Sequence, residues 1–144
     1  MTTVSEYATQ QPTGNPILDP VVYFRVTTWA LGLVALLGIV STSMTQVPAD
    51  QFLSLGGTFL QFTWWHNILH IVLAAACGLF GYAAIQGNVV KTFAVVFGAV
   101  YLLLGIAGFF TLTDASTLAL TPTVNVVHIL LGGWALTAGL MAKY

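Results

Sequence analysis

Charge is what this chain has least of. Lys and Arg together number 3, and Asp and Glu 4, in 144 residues. Soluble domains carry about 25% charged residues, whereas this chain has 5% and is 58% hydrophobic. The expected class is therefore an integral membrane protein, with lipid as its first partner. No basic run exists, which removes the electrostatic footprint of a nucleic-acid binder. The single cysteine, Cys77, can close no internal disulfide. It lies deep in an apolar run, where a free thiol is commonly buried as a small hydrophobe. No proline interrupts the interior of a long apolar run, so the broken helices of many transporters are not indicated. No Asp, Glu, Lys or Arg lies mid-span, so an ion or proton relay lacks its usual carriers. No catalytic constellation is recognisable, and the chain is not expected to be an enzyme.

Four apolar runs are present, at about 21–44, 64–85, 92–112 and 124–141. A helix of about 20 residues crosses a hydrocarbon core of about 30 Å. The fold class is therefore all-α, an integral membrane four-helix bundle occupying 21–144. Tyr23 and Trp29 stand near the start of the first run, as interfacial anchors do. Residues 1–20 are polar, with Pro12, Gly14, Pro16 and Pro20. They lack the basic start, short apolar core and small-residue cleavage site of a signal peptide. This extension is expected to lie, without regular helix, against the cytoplasmic face of a partner. The link from Thr45 to Thr63 holds Phe52, Leu53, Leu55, Phe59, Leu60 and Phe62, too apolar for a free loop. Part of it is expected to be a short helix on the membrane surface or against the bundle.

Four spans leave both termini on one side. Arg25, Lys91 and Lys143 fall at the ends belonging to one face, and Asp50 and Asp114 in the links on the other. Basic residues mark the cytoplasmic side, so both termini are expected in the cytoplasm.

The scarce polar residues are not scattered. Asn67-Ile68-Leu69-His70-Ile71 returns as Asn125-Val126-Val127-His128-Ile129, and Leu36-Leu37-Gly38-Ile39 as Leu103-Leu104-Gly105-Ile106. Spans one and two thus match spans three and four in the same order. That is the signature of two parallel helix-pair repeats about an axis along the membrane normal. It predicts His70 and His128 at similar depth. Small residues spaced by four, Ala74/Gly78, Cys77/Gly81, Ala94/Gly98 and Ala135/Gly139, suit close helix approach.

The paired Asn-x-x-His openings of spans two and four, followed by Gly-rich helix, resemble an uncharacterised family of small four-helix prokaryotic membrane proteins. It is catalogued as a domain of unknown function and occurs in actinobacteria, cyanobacteria and other prokaryotes. The resemblance runs from about Thr27 to Met141 and rests on Asn67, His70, Asn125 and His128, with Gly105 in span three. It implies a fold and a prokaryotic cytoplasmic or photosynthetic membrane. It implies no established activity, and residues 1–20 lie outside it.

Three chemistries suit the histidines. His66 and His70, four apart, share a helical face. The plainest reading is that Asn and His satisfy each other, or the links, across the bundle. The second is ligation of a tetrapyrrole, chlorophyll-type or haem b, by imidazole nitrogen. Phe62, Trp64, Trp65 and Trp134 and the small residues would then admit a flat ring. The third is a three-histidine zinc or copper site. Candidate binding residues are therefore His70, His128, His66, Asn67 and Asn125. Two functions are expected. One is an accessory subunit of a larger membrane complex, energy-transducing or photosynthetic, with pigment or haem contact. The alternative is a free-standing small carrier or sensor with a His/Asn/Trp pocket near the extracytoplasmic face.

Overall fold

The computed structural model describes residues 14–44, 53–55, 60–83, 85, 87–110 and 120–143. Four long helices dominate: α1 (Pro20–Met44), α2 (Trp64–Tyr82), α3 (Asn88–Gly108) and α4 (Pro122–Met141). All four are long and apolar enough to cross a membrane. Between 28 and 39% of each span is buried within the chain, and what remains outside is apolar, including Leu33, Leu36, Val72, Leu103 and Leu130. Such a surface suits lipid and would be an aggregation hazard in water.

Each helix begins where its sequence supplies a terminus. Asp19 Oδ1 accepts from Val21 N at 2.8 Å at the head of α1, and Pro20 supplies the preset φ of a first helical residue. Thr63 accepts from His66 N at 3.0 Å at the head of α2, and Thr121 from Val124 N at 3.3 Å at the head of α4. Gly87, at φ 69°, makes the turn into α3, a backbone region open to glycine at little cost. Three expected boundaries move. The second span ends at Tyr82 rather than near residue 85, because Ala83 is already extended. The third runs from Asn88 to Gly108, starting a turn before residue 92 and stopping a turn before residue 112.

Ahead of α2 the structure corrects the sequence. Residues Leu53–Leu55 (β1) and Leu60–Phe62 (β2) pair as a small antiparallel ladder with Ser54 opposite Gln61. Among the described residues of this link there is no helix, so the surface helix expected for part of it does not lie at 53–55 or 60–62. Its apolar residues alternate with period two, and Gly56-Gly57 falls between the runs, the pattern of a hairpin rather than of a helix. The rest of that link, and most of the link from Thr113 to Thr123, lies outside the described residues.

Helices adjacent in sequence pack antiparallel: α1 along α2, and α3 along α4. The two pairs meet along a thinner seam, mainly where α1 touches α3 and α4. The chain therefore runs up, down, up and down. Arg25, Lys91 and Lys143 share one end, hereafter the basic end, and the histidines lie toward the other.

The core at the basic end is aromatic. Phe80 stacks on Phe93 with centroids 3.9 Å apart. Tyr23 sets its ring edge-on to Trp134 at 5.0 Å and to Phe97 at 6.1 Å. The N-terminal segment docks on this same bundle. Pro16–Leu18 forms one 3-10 turn, and Trp134 Nε1 donates to Ile17 O at 2.6 Å. Residues 14–19 thus carry one 3-10 turn and pack on their own chain. Residues 1–13 lie outside the described part.

Candidate functional site

Threonine caps place the paired motif. Thr63 and Thr121 each start a helix, and four residues later comes an Asn, three more a His. His70 and His128 are accordingly the seventh residues of α2 and α4. Aligning them sets every buried residue of α2 on a buried residue of α4. His66, Asn67, His70, Cys77 and Gly81 correspond to Val124, Asn125, His128, Ala135 and Gly139. The two helices thus repeat each other's pattern of buried positions, not merely one motif.

All three histidines line one cavity of about 160 Å³. Tyr101 of α3 and the aliphatic Leu31 and Leu131 complete the wall with others of their kind. His66 and His70 lie ring to ring at 4.3 Å. Tyr101 presents its ring edge-on to His128 at 5.1 Å and stacks on Phe97 at 4.4 Å, joining the site to the aromatic core. His70 and His128 are 7% and 5% exposed, and Nδ1 of each finds no hydrogen-bond partner among the described residues. Leaving a polar group buried and unpaired costs about 2–7 kcal/mol on transfer scales. The cavity is thus apolar in most of its wall, and two of the imidazoles that line it carry a buried Nδ1 without a partner among the described residues.

The asparagines take a different place. Asn67 and Asn125 are fully buried but do not line the cavity. The Asn125 carboxamide lies over Gly108 of α3, where any Cβ would collide with it. Both side-chain atoms of Asn67 and Oδ1 of Asn125 find no partner among the described residues. The mutual Asn–His satisfaction expected from the sequence is therefore not formed there.

The aromatic walls also differ from expectation. Trp65 is 59% exposed on the outside, and Trp134 turns to Tyr23 and Ile17. The Phe62 side chain lies outside the described part. Tyr101, not a tryptophan, supplies the ring. Among the described residues no group of three or more His, Cys, Asp or Glu is arranged to hold a metal ion, so the three-histidine centre is not formed. A tetrapyrrole is also large for this space, since ligand pockets run to about 300–1,000 Å³.

Three site residues were missed in the sequence. The caps Thr63 and Thr121 were readable, because Thr-x-x-x-Asn-x-x-His occurs twice. Tyr101 carried no such signal, being one aromatic within an apolar span. Comparison with protein-family models, with curated proteins and with solved structures finds no match.

Proposed function

We propose that the protein is a small membrane carrier or sensor that holds an uncharged, ring-sized guest between His70 and His128. One observation carries the reading: two imidazoles from equivalent positions on two helices, each with an unpartnered Nδ1, open on a single apolar cavity. An apolar hole of about 150 Å³ can stay dry and accept benzene. Imidazoles on its wall add hydrogen bonds for a guest with an apolar body and polar atoms at its edge. The cavity's size favours such a guest over a whole tetrapyrrole, which would require α2 and α4 to part. The three cations gathered at the other end support an orientation with both termini cytoplasmic and the cavity toward the extracytoplasmic side.

The test is native mass measurement of the protein extracted in mild detergent. The expected result is a non-covalent organic guest, lost in His70→Leu and in His128→Leu while both remain helical. A wild-type protein without guest, together with higher thermal stability in both leucine variants, would make the imidazoles structural. A visible absorption spectrum of the same sample separates pigment or haem from a colourless guest.

A second reading, the accessory subunit of an energy-transducing or photosynthetic complex, is favoured by one observation. Among the described residues only a 3-10 turn and a short hairpin stand outside the four spans. Co-extraction in a defined large complex would support it, and a lone oligomer would speak for the carrier or sensor.

A further inference from the structure

A second concavity lies on the outside of the bundle, between α1 and α2, with a volume of about 530 Å³. Its floor and rims are formed by Thr28, Gly32, Leu33 and Leu36 of α1 with Ala74 and Gly78 of α2. Gly32, among the groove residues, packs against nothing among the described residues. A Cβ added at Gly32 would meet nothing within 4 Å, whereas one at Gly81 would meet Arg25 N at 2.9 Å. Gly81 brings the helices together below the groove, and Gly32 leaves the groove hollow.

About one helical turn below the lowest groove residues of α1, Thr28 and Trp29, stands a cation, Arg25. Arg25 Nε donates to Gly81 O at 2.7 Å, and its guanidinium carbon stands 5.6 Å from the Tyr82 ring centroid. Trp29 Nε1 in turn donates to the Tyr82 hydroxyl at 2.7 Å. These contacts hold the guanidinium against Gly81 and Tyr82, below the groove, while using one of its five donors. No carboxylate is paired with it among the described residues. Trp29 and Tyr82 are both mostly exposed, and aromatic residues of this kind sit at the headgroup level. The rise from Arg25 to Leu36, at about 1.5 Å per residue, is about 16 Å, half of a hydrocarbon core of about 30 Å. The groove thus begins at one interface and stops near the midplane.

We propose that this groove binds one anionic phospholipid of the basic-end leaflet. Its phosphate is held by Arg25, and an acyl chain lies over Gly32 between α1 and α2. Charge complementarity selects the head, because a guanidinium fork matches two phosphate oxygens. The length of the groove selects a chain of a single leaflet. A helix from a partner or from a second copy would instead continue past the midplane along α1. The proposal rests on the four spans and is independent of the histidine cavity.

The test uses the full chain in detergent with added phosphatidylglycerol or phosphatidylcholine of matched acyl chains, and counts retained lipid by native mass. Wild type should keep phosphatidylglycerol about fivefold better, the worth of one basic residue at an anionic surface. Arg25→Gln should erase that preference and Arg25→Lys should keep it. Gly32→Leu should lower retention of both lipids without lowering the thermal midpoint, because its side chain enters empty space. Equal retention of the two lipids by wild type would overturn the proposal. So would a Gly32→Leu protein that keeps its lipid but loses a dimer or a co-purifying partner, which would assign the groove to a protein helix.

Discussion

The two helix pairs carry the same motif and pack by different means. In α3–α4 the backbones touch at glycines on both sides. A Cβ at Gly98 would meet Gly132 O at 2.8 Å, and one at Gly132 would meet Gly98 O at 2.8 Å. Gly105 faces Ile129 N at 2.9 Å in the same way. In α1–α2, Gly81 is so used, while Gly78 makes ordinary contact with Thr28 and Gly32 meets nothing within 4 Å. Lipid gives helices no hydrophobic reason to associate, so close backbone approach supplies much of the attraction. The difference teaches that duplication of a site does not require duplication of its scaffold. One pair is closed throughout its length. The other is clamped at Gly81 and left open on its outer face around Gly32.

Substitutions at the glycines probe that contrast most strongly. Gly98→Leu or Gly132→Leu should destabilise by about 3 kcal/mol, the upper range for overpacking, read by denaturant unfolding in micelles. Gly32→Leu should change stability by less than about 0.5 kcal/mol, the usual range for surface substitutions. Equal losses at Gly98 and Gly32 would end the distinction between closed and open pairs. A smaller effect is expected at the asparagine seat. Gly108→Ala must push the Asn125 carboxamide aside, at about 1–2 kcal/mol. If that variant is neutral, Asn125 has room to move and its position is not held by α3.

The caps test the symmetry instead of the difference. Thr63→Val and Thr121→Val should each cost about 1 kcal/mol, with the double variant showing their sum. A tenfold disparity in equilibrium constant between them would mean that the two helix starts are not equivalent. The smallest effect is expected at Gly32→Ala, a gain of no more than about 0.5 kcal/mol through helix propensity. A loss there would reveal a contact inside the chain that a Cβ disturbs.

Much of this architecture was readable from residues. Four apolar runs separated by Pro, Gly and Asp located four helices, because membrane spans are set by length and hydropathy more than by long-range context. Asn67, His70, Asn125 and His128 stood out because polar residues are so few. The Leu53-x-Leu55 and Leu60-x-Phe62 segments form strands, and there alternation with period two is the stronger signal than overall hydrophobicity. Trp65 and Trp134 were placed near the histidines by sequence proximity, yet helical facing turned one outward and the other toward Ile17. Tyr101 could not be foreseen as a wall of the cavity. Nothing in its own neighbourhood specifies that α3 brings it edge-on to His128. That relation belongs to packing between the two pairs.

The thinner seam between the pairs has a consequence for how the molecule is made and opened. Each pair joins helices that follow one another in the chain, so its contacts close short loops and can form early. During synthesis α1–α2 can zip while α3 is still emerging, since domains and subdomains tend to fold in order of appearance. The histidine cavity draws its walls from both pairs and can exist only after the second has met the first. It is therefore the last part of the protein to be assembled. By the same logic it is the first to gape when the hairpins rock apart, with every glycine contact inside α3–α4 left intact. Hydrogen exchange should show amides facing the seam near His70 and His128 exchanging before those beside Gly98 and Gly132.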